Sequence, residues 1–241
     1  MEHVTLPTTI EFLDGDKPNV GHVVVTPCQK GYGTTLGNAL RRVLLSSLPG
    51  AAVESVKING VQHEFSAVEH LQDDMIEVIL NLKQMAVLLH GEETVTLTLS
   101  KKGTGDVFAG DFDKNSAVEI MNPDLRITAV TDAKKPLEME VTVGRGAGYV
   151  PVAEKDTSGY DLGTIAIDSL YTPIRDVGYN VEATRVGDVT DYEKLTLTIE
   201  TNGTIAPKDA VSKATRILMD HFTLVAQVAG TAPEDESKSD A

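Results

Sequence analysis

The chain has no tryptophan and a single cysteine, Cys28, among its 241 residues, and aromatic residues make up 5% of it. A lone cysteine cannot close an internal disulfide and cannot build a cysteine-rich zinc site. With so few rings, the core falls to Val, Leu, Ile and Ala. Positive charge is scarce as well, 21 Lys+Arg against 36 Asp+Glu, for a formal net charge of −15. So acidic a surface repels nucleic-acid phosphates and excludes nonspecific DNA or RNA binding without a local basic patch. No apolar run approaches the ~20 residues of a membrane helix, and MEHVTLPTT lacks the basic and apolar regions of a signal peptide. These absences exclude a disulfide scaffold, a membrane span and a basic nucleic-acid module, and point to a soluble protein of a reducing compartment. What is present is a 41% hydrophobic share, enough to fold one large or two modest domains.

Three segments have helical spacing. In the first, Thr34 or Thr35 can cap a helix with Leu36, Leu40, Val43, Leu44 and Leu48 on its stripe, stopped by Pro49-Gly50. The second opens on a capping box, Ser66 to Glu69, and carries Val68, Leu71, Met75, Val78, Ile79 and Leu82. The third starts near Pro207, behind the poor cap Ala206, and runs to about Val228, ending before Gly230. Val211, Ala214, Leu218, Val225 and Val228 form a near-heptad seam on it, with His221 filling one turn and Ala210, Ile217 and Leu224 as a second line. Two readings fit so broad an apolar surface: deep burial in a monomer, or a second helix packed on it through self-association.

Strands fill much of the remainder. Val53–Ile58 and Val61–Phe65 flank Asn59-Gly60, a type I′ hairpin signal. Thr94–Leu99, Glu138–Val143 and Leu195–Ile199 alternate, and Val177, Tyr179, Val181 and Ala183 share one face. Short strands between Gly, Asn, Asp and Pro favour antiparallel sheets, so the expected class is α+β. The stretch 231–241, TAPEDESKSDA, has no large apolar residue and reads as a disordered tail or the start of a linker.

Motifs for chemistry are weak. Gly31-Tyr32-Gly33-Thr34-Thr35-Leu36-Gly37 resembles a dinucleotide turn, but Leu36 stands where the third glycine belongs and no βαβ unit follows. A tight turn into a helix is the plainer account. Gly144–Gly148 reads as a bend between strands rather than an anion nest. The six histidines (His3, His22, His63, His70, His90 and His221) supply no metal-ligand spacing. Asp73-Asp74 fits the positive end of a helix better than an acid pair. Cys28 has no neighbouring histidine to activate it, and Ser46-Ser47 lacks a nucleophile elbow. No catalytic residue, metal or cofactor is expected. Arg41-Arg42 differs, because two guanidiniums on one apolar helix point ~100° apart. They are either two solvated arginines or include one that anchors a protein interface.

The segment Lys30–Val53, KGYGTTLGNALRRVLLSSLPGAAV, resembles the signature of the α subunit of bacterial DNA-directed RNA polymerase. NGVQHEF (59–65), RGAGYVP (145–151), YNVEATRV (179–186) and ETNGTI (200–205) match in the same order, so the resemblance spans roughly residues 10 to 228. It implies an α+β fold of two lobes with a helical dimerisation face. One lobe comprises residues 1–48 and 174–230, and the other, 49–173, is inserted between them. The implied role is a homodimer that scaffolds assembly of the β and β′ subunits in a nucleotidyltransferase whose catalytic metal belongs to β′. By position, Arg42 and Leu45 match residues for binding β; Lys83, Ile167 and, more loosely, Arg185 match residues at the β′ surface. Leu36, Leu40, Leu218, Val225 and Val228 are expected at the dimer interface. Family members usually continue through a linker into a small DNA-contacting domain, and this sequence stops inside what resembles that linker, so no direct DNA contact is expected from the residues present. The implied location is the cytoplasm, at the nucleoid as part of the polymerase. The rival from another class is an acidic dimeric enzyme binding a nucleotide or sugar at the glycine turns.

Overall fold

The computed structural model describes residues 6–187 and 189–228, so the expectations for 1–5 and 229–241 lie outside the described residues. Its first elements are β1 (Thr9–Asp14), β2 (Val20–Cys28), α1 (Tyr32–Ser46), β3 (Pro49–Ile58) and α2 (Met75–Leu82). Seven strands follow: β4 (Val87–Leu89), β5 (Val95–Lys101), β6 (Gly105–Phe108), β7 (Val118–Ile120), β8 (Arg126–Val130), β9 (Leu137–Ala147) and β10 (Tyr149–Val150). The last elements are β11 (Thr164–Ala166), β12 (Ser169–Leu170), β13 (Ile174–Val186), β14 (Val189–Thr201) and α3 (Pro207–Val228). The fold is α+β.

The described residues divide into two compact units, one of residues 6–45, 176–187, 189–200 and 206–228 and the other of 46–175 and 201–205. In the first, an antiparallel sheet runs β1-β2-β14-β13, with Val25 opposite Leu195 and Val23 opposite Leu197. Alternation buries Val23, Val25, Leu195, Leu197 and Ile199 on one face. Helix α1 lies against that face closely enough that a Cβ on Gly37 would come within 2.7 Å of the Tyr179 ring and 3.0 Å of Leu195. Ala210 and Ala214 seat the first half of α3 and are fully buried.

The second unit centres on a sheet ordered β5-β9-β3-β4-β7, with β11 also on β3. Its core joins Val56 and Ile58 of β3, Leu97 and Leu99 of β5, and Leu137 to Val143 of β9 with Met75, Val78 and Leu82 of α2. Asn81 fastens α2 to the neighbouring β8 through the Ile127 carbonyl (2.8 Å).

Four local expectations need correction. The proposed hairpin is absent: Val61–Phe65 is not a strand, because β9 occupies one edge of β3 while β4 and β11 occupy the other. Only Gly60 of the turn has positive φ (86°), and the Val61 N–H donates to the Ile58 carbonyl, which makes a type II rather than a type I′ geometry. The capping box at Ser66–Glu69 opens no helix. There the backbone pairs with β8 and the residue after it, Gln72 N–H to Ala129 O and Thr131 N–H to His70 O, so α2 begins at Met75 with Asp74 as its cap. The first helix starts at Tyr32 rather than after a threonine cap; it ends at Ser46, ahead of Pro49-Gly50, which opens β3. Gly144 to Ala147 belong to β9, and the bend is confined to Gly148 (φ 66°).

Candidate functional site

The glycine turn before α1 is filled by the protein's own charge. Glu193 of β14 accepts from Gly31 N–H through Oε1 (2.9 Å) and from Gly33 N–H through Oε2 (3.0 Å). These are the orphan donors with which a helix start would bind a phosphate, and a carboxylate already satisfies them. Cys28 is buried nearby, and burial, aided by the Glu193 charge, pushes its thiol above the usual range, the opposite of an activated nucleophile. Among the described residues no group of three or more His, Cys, Asp or Glu side chains is placed to hold a metal ion. Asp74 accepts from Glu77 N–H (2.8 Å) at the start of α2, and Asp73 pairs with Arg126 (3.2 Å). Both acids have local structural partners.

The two arginines of α1 diverge as helical geometry requires. Arg41 donates from Nε to the Val177 carbonyl of β13 (3.1 Å), tying the helix to its own sheet. Arg42 is exposed on another side of the helix, with Leu45 half-buried one turn on. Leu36 and Leu40 are also half-buried.

Helix α3 changes character along its length. Pro207, Ala210 and Ala214 are buried, Val211, Ile217 and Leu218 are half-buried, and beyond them the apolar residues stand in solvent. Val225 is 66% exposed and Val228 92%, and sequence reading missed two equals, Met219 at 62% and Phe222 at 64%. Their i, i+3 spacing was the available signal. His221 turns back to the Ile217 carbonyl (2.8 Å) and is exposed rather than filling a seam. Burying one large aliphatic or aromatic side chain is worth roughly 1.5–3 kcal/mol, which each of these exposed residues forgoes in the single chain.

The second unit brings together residues far apart in sequence. Lys83, at the C-terminal end of α2, donates from Nζ to Asp168 Oδ2 (3.1 Å), and the other carboxylate oxygen accepts from Val152 N–H (2.8 Å). The backbone N–H first, and the lysine after it, hold the Asp168 carboxyl below its ordinary range, against a partial desolvation. Ile167, beside Asp168, is 1% exposed and lies in the core, so its side chain cannot itself touch a partner. Arg185 belongs to the other unit, exposed on β13, with Nε donating to the Gly187 carbonyl (2.6 Å).

Residues 56–172 match the family model described as the RNA polymerase Rpb3/RpoA insert domain. The chain is 51% identical over 206 residues to the DNA-directed RNA polymerase subunit alpha of Clostridium kluyveri, covering 86% of this chain and 65% of that protein. It is 48% identical over 216 residues to the subunit of the same name from Alkaliphilus oremlandii, covering 89% and 68%. With the Symbiobacterium thermophilum subunit alpha the identity is 49% over 236 residues, covering 98% and 74%. The chain thus spans about two thirds of the length of the curated relatives it matches.

Proposed function

Since the chain belongs to the bacterial DNA-directed RNA polymerase α-subunit family, we propose that it is the non-catalytic scaffold on which that nucleotidyltransferase assembles. Two copies join through α1 and the exposed half of α3, with Leu36, Leu40, Leu218, Val225 and Val228 at the seam, extended by Met219 and Phe222. The paired chains then offer each partner surface twice. A closed two-fold dimer gives one copy to β and the other to β′ only when the first partner breaks the symmetry for the second. Arg42 and Leu45 serve β. Lys83, held by Asp168, serves β′, with Ile167 supporting that surface from beneath, and Arg185, on the other unit, serves β′ separately. No DNA contact, cofactor or metal is assigned to this chain. Among the described residues no helix is long and apolar enough to cross a membrane, and the proposed site of action is the cytoplasm, at the nucleoid within the polymerase.

The observation that carries this reading is the apolar half of α3, exposed in the single chain of a family whose named members are polymerase subunits. Copurification tests it: the tagged chain should retain itself, β and β′. Arg42→Ala should lower β retention about tenfold and leave the dimer intact on a sizing column, a ratio worth about 1.4 kcal/mol. A monomeric chain, or one that retains neither large subunit, overturns the assignment.

A further inference from the structure

Behind the Lys83–Asp168 pair lies a cluster of polar side chains turned away from solvent. Lys155 donates from Nζ to the Ile167 carbonyl (2.5 Å), to Ser169 Oγ (2.6 Å) and to the Glu54 carbonyl (3.2 Å). Ser169, itself buried, donates to the Val53 carbonyl (2.8 Å). The Tyr171 hydroxyl donates to Glu54 Oε1 (2.5 Å). Glu54 sits at the bulge where β3 slips against β9, and its carboxylate lies over Gly144, where any Cβ would collide with it. Burial lowers the Lys155 ammonium from its usual range and raises the Tyr171 phenol, to which the Glu54 bond and charge add.

The placement of these bonds matters more than their number. Along 167–171, Ile167, Ser169 and Tyr171 are buried, while Asp168 and Leu170 alternate outward. The inner bonds of Lys155 therefore land on the two residues that flank Asp168. Outside, the Asp168 carboxylate is held by Lys83 and by Val152 N–H. Val152 and Lys155 belong to one tight turn, closed by Lys155 N–H to the Val152 carbonyl (3.1 Å), so a single turn grips the 167–169 segment on both sides.

We propose that Lys155 is the positioning residue of the Lys83–Asp168 surface, anchoring Ile167 and Ser169 from within so that Asp168 holds the Lys83 ammonium at one place for a docking protein. That the docking protein is β′ rests on the function proposed above. Three donors on one ammonium meet three fixed oxygens, which leaves the side chain no alternative arrangement of equal quality. Methionine has similar length and fills the same space but supplies no donor.

The test uses the full chain carrying Lys155→Met, Ser169→Ala or Lys83→Ala. In the isolated protein, the Asp168 carboxyl is titrated by carbon-13 NMR. Lys155→Met should raise its midpoint by about half a pH unit or more, and Ser169→Ala should move it the same way by less. An unmoved midpoint in both variants overturns the proposal. Should Lys155→Met lose its native amide spectrum, Ser169→Ala decides alone. In assembly, Lys155→Met should lower β′ retention on the α–β complex about tenfold and change β retention less than about twofold. Combined with Lys83→Ala it should add little, since the two act through one site. Additive losses, or an equal loss of β, would show a merely structural lysine. Lys83→Ala retaining β′ at the wild-type level sinks the β′ reading instead, and the titration still judges Lys155.

Discussion

Glu193 reaches the two glycine N–H groups at the start of α1 from about 160 residues further along the chain. Glutamine in its place keeps one acceptor oxygen and turns an NH₂ group toward a donor. Glu193→Gln should therefore lower stability by about 1–3 kcal/mol in urea unfolding, whereas Thr35→Ala, which loses only a bond back to the Gly31 carbonyl, should cost far less. Asp168 supports a prediction in pH. Its carboxyl titrates below the ordinary value of 3.8 because Val152 N–H and Lys83 favour the charged form. A depressed carboxylate contributes stability above its unfolded value and loses it as pH falls through the folded one. The stability gap between the wild type and Asp168→Asn should be constant near neutrality and close below about pH 4, as read by chemical unfolding at a series of pH values. A gap that stays open in acid would mean that the carboxylate charge contributes nothing there.

Among the elements, helix starts carry the sharpest predictions. Asp74 caps α2, so Asp74→Ala should cost about 1 kcal/mol, while Ser66→Ala, at the pattern that only resembles a cap, should change stability by less than about 0.5 kcal/mol. At α3, Ala206 precedes Pro207 and supplies no side-chain acceptor, so Ala206→Asp should stabilise the protein by about 1 kcal/mol in thermal or urea unfolding. The same elements show how far the sequence could be read. Amphipathic spacing found all three helices, and the predicted stripe of the second is almost wholly buried, from Val68 to Leu82. Its first half is buried as irregular chain rather than helix, because periodicity reports which side chains turn inward and says nothing about where backbone N–H groups find partners. The Asn59-Gly60 hairpin failed for a related reason: a turn signal cannot show that both edges of β3 are already taken by β9, β4 and β11. Position-by-position resemblance pointed to Lys83 and Ile167, but the ion pair with Asp168 joins residues 85 apart and the Lys155 bond to Ile167 joins residues 12 apart, and no local pattern encodes them.

On the scale of the whole molecule, the apolar residues of α3 separate folding from association. Ala210 and Ala214 close on the sheet of their own unit, whereas Phe222, Val225 and Val228 stand open, so the two halves of one helix answer to different equilibria. A charge at Ala214 must be buried without a partner, and Ala214→Glu should unfold the unit. A charge at Phe222 or Val225 meets water in the single chain and apolar surface only in a complex. Phe222→Glu and Val225→Glu should therefore keep the circular-dichroism spectrum and unfolding midpoint of a folded monomer while sedimenting at half the wild-type mass. Leu218 is half-buried, and Leu218→Glu should weaken both folding and pairing. If Phe222→Glu and Val225→Glu remained dimeric at micromolar concentration, the exposed half of α3 would have to face something other than a second copy. Loss of β′ in step with loss of the dimer, by contrast, would follow from the proposed two-fold arrangement, in which β and β′ are held by different copies.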